Sequence, residues 1–192
     1  KGAAKPARYD GKILVPFAIE SSLSGVGKPL LPEQELWYSR SFTIPDGWAD
    51  KNIILHFEAV DWETKVWVNG KQVITHKGGS DPFQVNITPF LKSKGEQEMV
   101  VSVWDPTDTG MQARGKQTLD PQGIWYKAVS GIWQTVWLEA VSKEHITNVY
   151  PMPDADRSRV YFTFQAENLT RSHELNISIK NGNSIVKDTT LF

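Results

Sequence analysis

Residues 65–75 read Lys65-Val66-Trp67-Val68-Asn69-Gly70-Lys71-Gln72-Val73-Ile74-Thr75, two β-branched and aromatic runs joined by two residues. A two-residue link needs positive φ at both central positions, and Asn-Gly tolerates this best. The stretch predicts an antiparallel hairpin, and the chain reads outward from it as a β protein. Ile53, Leu55, Phe57 and Ala59 interleave with Ile54, His56, Glu58 and Val60. Met99, Val101 and Val103 interleave with Val100, Ser102 and Trp104, and Ile132, Gln134, Val136 and Leu138 with Trp133, Thr135, Trp137 and Glu139. The same alternation returns at Val160, Phe162 and Phe164 and at Leu175, Ile177 and Ile179. Such runs are half-buried strands. Pro45-Asp46-Gly47, Gly78-Gly79-Ser80-Asp81-Pro82 and Asn181-Gly182-Asn183 separate them. One helical turn is expected, with Thr88 as N-cap and Pro89 first in the turn. Many short strands and almost no helix imply an all-β fold, a jelly-roll β-sandwich.

The chain has 192 residues, roughly 1.3 times a typical domain. All eight tryptophans lie at or before Trp137. Residues 1–142 are expected to form the jelly roll. Residues 143–192 carry only about three strand patterns, against about seven in an immunoglobulin-like domain. They read as the truncated start of such a domain, the alternative being a short sheet packed on the first.

Lys and Arg number 21 against 22 Asp and Glu, a formal charge of −1. No basic excess is present to hold a phosphate backbone, which excludes a general nucleic-acid partner. No apolar run is long enough to span a bilayer, so no membrane partner is expected. Cysteine is absent, which excludes disulfides, thiol catalysis and Cys-based zinc sites. No nucleophile elbow, Walker A loop or zinc-protease helix occurs. The four histidines, His56, His76, His145 and His173, are scattered without ligand spacing. No cofactor or metal is expected; a structural Ca²⁺ is compatible with a β-sandwich, but no ligand pattern requires one.

The stretch from Trp104 to Trp137 is too long and too aromatic for an idle connection. Trp104, Asp105, Arg114, Lys116, Gln117, Trp125 and Tyr126 are its candidate carbohydrate-binding residues. Aromatic faces stack on a sugar ring, and the polar side chains bond its hydroxyl groups. Trp125 and Tyr126 would equally serve to anchor the loop or bury it against a neighbouring domain. Trp133 and Trp137 read as core, and Trp37, Trp62 and Trp67 as packing residues.

Four pieces in order, Leu36-Trp37-Tyr38-Ser39-Arg40-Ser41-Phe42, Val66-Trp67-Val68-Asn69-Gly70-Lys71, Asp81-Pro82-Phe83 with Val85-Asn86-Ile87-Thr88-Pro89-Phe90-Leu91, and Ser130-Gly131-Ile132-Trp133-Gln134-Thr135-Val136-Trp137-Leu138-Glu139, carry a resemblance over about residues 8–142. They are similar to the N-terminal sugar-binding domain of glycoside hydrolase family 2, which holds β-galactosidases, β-glucuronidases and β-mannosidases. The resemblance implies a jelly roll, then an immunoglobulin-like domain, then a (β/α)₈ barrel carrying the acid/base and nucleophile glutamates. A barrel takes about 250 residues, so no catalytic residue is expected within this chain. It also implies the non-catalytic front end of a retaining, β-galactosidase-like enzyme, secreted or periplasmic. Its partners would be a carbohydrate and the missing C-terminal barrel. Two other classes stay open, a stand-alone carbohydrate-binding module and a structural or interaction β-sandwich. Dimerisation through exposed strand edges is a further expectation for the isolated chain.

Overall fold

The computed structural model describes residues 4–170 and 172–191. The chain divides into two compact units, Lys1–Ala140 and Val141–Phe192. In the first unit the strands are β1 Leu36–Phe42, β2 Asn52–Phe57, β3 Val60–Asp61, β4 Glu63–Val68, β5 Lys71–Lys77, β6 Phe83–Asn86 and β7 Gln97–Trp104. They are followed by β8 Gln117–Thr118, β9 Tyr126–Lys127, β10 Gly131–Ile132 and β11 Val136–Val141. One sheet has the order β1-β7-β4-β5. The other has the order β11-β2-β6, with β10 paired to β3. Alternation along the strands sends Val66, Val68, Val101 and Val103 inward from one sheet and Ile53, Leu55 and Phe57 from the other. Their burial between two sheets is the main stabilising term of a sandwich.

The hairpin β4–β5 forms as expected, with Asn69 at φ 49° and Gly70 at φ 80°. Asn69 also locks the tip to its surroundings. Its Nδ2 donates to the Phe90 carbonyl at 2.9 Å and to Gln97 Oε1 at 2.7 Å. Its Oδ1 accepts from Glu98 N–H at 3.0 Å.

In the first unit three expectations are corrected. Thr88 is the first residue of a 3₁₀ turn, Thr88–Phe90, and not its cap. Its hydroxyl instead accepts Ile53 N–H at 2.7 Å, where β2 begins. The run from Ile132 to Leu138 is not one strand. It is interrupted at residues 133–135, where the N–H groups of Trp133 and Gln134 both reach the Ala59 carbonyl. The paired strand breaks at the same level, between Phe57 and Val60. The third concerns tryptophan: none of the eight lies in the fully buried core. Trp37 and Trp67 stack at 5.4 Å on the outer face of the first sheet, and Trp137 stacks on His56 at 3.9 Å on the outer face of the second. Indoles are large and carry an N–H that needs a partner, so aliphatic side chains fill the interior while the tryptophans ring it.

Among its described residues the second unit contains four strands, not about three: β12 His145–Asp154, β13 Arg159–Glu167, β14 Leu175–Asn181 and β15 Ser184–Leu191. They form two separate hairpins, β12–β13 and β14–β15. The break Asn181-Gly182-Asn183 holds the tight turn of the second: Asn181 ends β14 opposite Ser184, and Gly182 and Asn183 make the link.

Asn69 permits a direct check. Asn69→Gly keeps the turn and loses the side-chain bonds, whereas Asn69→Ala also forces alanine into the left-handed region. Urea denaturation should place Asn69→Ala about 1 kcal/mol below Asn69→Gly, and both below the wild type.

Candidate functional site

Each residue of Ser130-Gly131-Ile132 has a separate structural task. Ser130 is fully buried. Its N–H donates to Glu20 Oε2 at 3.0 Å, and its hydroxyl donates to Asp105 Oδ2 at 2.6 Å. Gly131 holds φ 81° directly under the Tyr38 hydroxyl, where a Cβ would overlap it. Ile132 enters the core while its N–H donates to the same hydroxyl at 3.1 Å. The motif thus joins the segment before β1, the strand β1 and the end of β7.

Asp61 lies beside this junction at the end of β3. Gln117 Nε2 faces its Oδ2 at 3.5 Å. Gly79 packs so closely that a Cβ there would come 2.6 Å from the carboxyl group, so only glycine fits. Burial raises Asp61 from 3.8 to about 7; the Asp105 charge adds to the rise, Gln117 opposes it, and Glu20 adds again. Burial also raises Asp105 and Glu20, opposed mainly by the hydroxyl and N–H of Ser130 respectively. Asp108 goes the other way, lowered first by Leu119 N–H and then by the Thr118 hydroxyl.

The seven residues singled out in the sequence fall into two groups. Asp105 and Gln117 point inward: Asp105 is 2% exposed, and its Oδ1 accepts Thr107 N–H at 2.7 Å. Gln117 Oε1 accepts Val129 N–H at 2.5 Å, which ties the two ends of the aromatic loop. The others lie further out. Trp104 is half-buried, with Nε1 donating to the Pro32 carbonyl at 2.7 Å. Arg114 donates to the Asp108 carbonyl at 2.7 Å. Lys116 is exposed, and its carbonyl accepts Tyr126 N–H at 2.9 Å. Trp125 and Tyr126 are 48% and 68% exposed. A short parallel pair, β8–β9, fixes this loop.

A pocket of about 420 Å³ gathers Trp62, Glu63, Lys77, Trp104, Pro106, Met111, Gln112 and Ala113. Of these only Trp104 was a candidate from the sequence. Trp62 directly precedes Glu63 at the start of β4, and Lys77 ends β5 of the same hairpin; nothing local marks them as lining a pocket with residues after β7. Asp61 had a usable signal, a carboxylate inside the strand pattern Ala59-Val60-Asp61-Trp62. Among the described residues no cluster of three or more ligating side chains could hold a metal ion, and no helix is long and apolar enough to cross a membrane.

Two packed sheets with an aromatic and polar loop surface define the class: an all-β sandwich module. Residues 23–142 match the family of glycosyl hydrolases family 2, sugar binding domain, and the chain belongs to that family. It is 33% identical over 120 residues to a β-galactosidase of Thermoanaerobacter pseudethanolicus, covering 62% of this chain and 15% of the relative. It is 37% identical over 69 residues to a β-glucuronidase of Paenibacillus borealis, covering 36% of this chain and 12% of the relative. The solved β-glucuronidase of Faecalibacterium prausnitzii shares the fold, with a TM-score of 0.72 and 22% identity over 97% of this chain and 35% of that one. The chain thus spans a small fraction of the curated relatives' length.

Asp61 gives the stability a pH signature. The folded chain keeps its proton up to about pH 7, while the unfolded chain releases it near 3.8. Between these values the folded state binds more protons, so stability falls as pH rises through the window and then levels. Thermal midpoints from pH 4.5 to 8 should fall more steeply for the wild type than for Asp61→Asn. Parallel curves would remove Asp61 as the source.

Proposed function

We propose that this chain is the non-catalytic front of a retaining β-glycosidase, secreted or periplasmic, that hydrolyses β-galactoside-like substrates. The observation that carries this reading is the family match over residues 23–142, in a chain that spans 15% of a β-galactosidase. The sandwich buttresses the catalytic barrel of the same parent. The loop through Arg114, Lys116, Trp125 and Tyr126 reaches the sugar. Its exposed indole and phenol offer stacking faces, and its cations offer donors to hydroxyl groups. Asp105 and Gln117 serve the same surface from beneath by fixing both ends of the loop.

Residues 143–192 are the first strands of an immunoglobulin-like domain, completed by later parts of the parent. Two hairpins whose apolar side chains are only half covered support this, with Val160, Phe162 and Phe164 on one and Leu175, Ile177 and Ile179 on the other. Detached from the parent, their open edges pair between copies.

Hydrolysis of an aryl β-glycoside panel by the intact parent protein tests the proposal. We expect cleavage of at least one β-glycoside, and kcat/KM about tenfold lower in Trp125→Ala or Arg114→Ala. Normal turnover in both variants removes the loop from the substrate site. No cleavage of any β-glycoside removes the glycosidase reading itself.

A further inference from the structure

Resting on the sugar-binding reading, we propose that the pocket between Trp62 and Trp104 is a saccharide site for one neutral hexopyranose unit. Its floor is a single rung of the first sheet. Glu63 of β4 stands opposite Lys77 of β5 on one side and opposite Trp104 of β7 on the other. Directly paired residues share a sheet face, so the three side chains rise together on the outer face. Residues after β7 supply the wall, with Pro106, Met111 and Ala113 as its apolar part. Gln112 holds that wall in shape by donating from Nε2 to the Thr107 carbonyl at 2.9 Å. Trp62 closes the pocket.

The chemistry of these groups selects the ligand. The volume, about 420 Å³, suits a small ligand. Indole faces attract the polarised C–H groups on the apolar side of a pyranose ring. The Trp104 ring is already fixed by its bond to Pro32, so binding orders little. Lys77 Nζ lies 3.5 Å from Glu63 Oε2. A carboxylate and an ammonium this close give adjacent hydroxyl groups one acceptor and one donor. The pair is neutral overall, so it suits a neutral sugar. A uronate would press its own carboxylate against Glu63, which is almost fully buried and poorly screened by water.

The test reads the pocket locally, in the intact parent protein labelled with 5-fluorotryptophan. The Trp62 and Trp104 fluorine resonances are assigned by Trp62→Phe and Trp104→Phe. Methyl β-galactopyranoside and methyl β-glucopyranoside should shift both resonances saturably, and methyl β-glucuronide should need about fivefold higher concentration. Lys77→Ala takes the ammonium away from the nearly buried Glu63, so Lys77→Ala/Glu63→Gln is made beside it to leave no charge unpaired, and both should weaken the neutral sugars about threefold. Resonances that stay still, that saturate alike in Lys77→Ala, or that respond better to the glucuronide overturn the proposal. Hydrolysis of aryl glycosides by the same protein is a separate readout. A chain that cleaves them without a shift at Trp62 or Trp104 loses this site and keeps the family reading.

Discussion

The buried hydrogen bond from Ser130 to Asp105 is the constraint around which the first unit is arranged. It joins the end of β7 to the start of β10 across a loop of some two dozen residues, where closure entropy is substantial. A hydrogen bond to a charged group contributes about 1.5–3 kcal/mol, and losing one partner leaves the other buried and unpaired. Glu20, held by the Ser130 N–H, brings the segment ahead of β1 to the same point. Tyr38 brings β1 itself through the Ile132 N–H. The sheets therefore meet at a polar knot and not only through apolar packing. Whatever the loop between Asp105 and Ser130 does is done from a fixed base.

That base is electrically costly. Asp61, Asp105 and Glu20 lie in a region where burial raises all three, and among the described residues no cation forms an ion pair with them. Ser130, Thr107 and Gln117 supply donors in its place. A polar network of this kind specifies one arrangement strongly because any slip strands a carboxylate. Gly79 is glycine for a steric reason: its backbone lies against the Asp61 carboxyl group.

The fold was largely legible because alternation and turn chemistry are local. Asn69-Gly70 defined a hairpin before any partner strand was known. Alternation failed at Trp133–Thr135, where the strand bends to serve two sheet segments; nothing in an unbroken period-2 pattern marks such a break. It failed again for the tryptophans. Alternation reports which residues share a face but not which face looks inward. Trp137 alternates with Val136 and Leu138, and the aliphatic pair took the core. In the second unit, Ser184–Leu191 has every residue exposed and so little contrast between faces that its pattern was missed as a strand.

The sequence by itself determined the all-β class, the hairpin at Asn69-Gly70, the shift in composition toward the C-terminal end and the family resemblance carried by Ser130-Gly131-Ile132. These depend on neighbours within a few residues, or on motifs held in order. Only the tertiary structure decided that Asp105 and Gln117 turn inward, that Asp61 and Glu20 join them, and that Glu63, Lys77 and Trp104 form one rung. The reason is physical. A side chain's burial, and hence its charge state and its availability to a ligand, is set by strand pairing between residues far apart in the chain. No local pattern encodes that register.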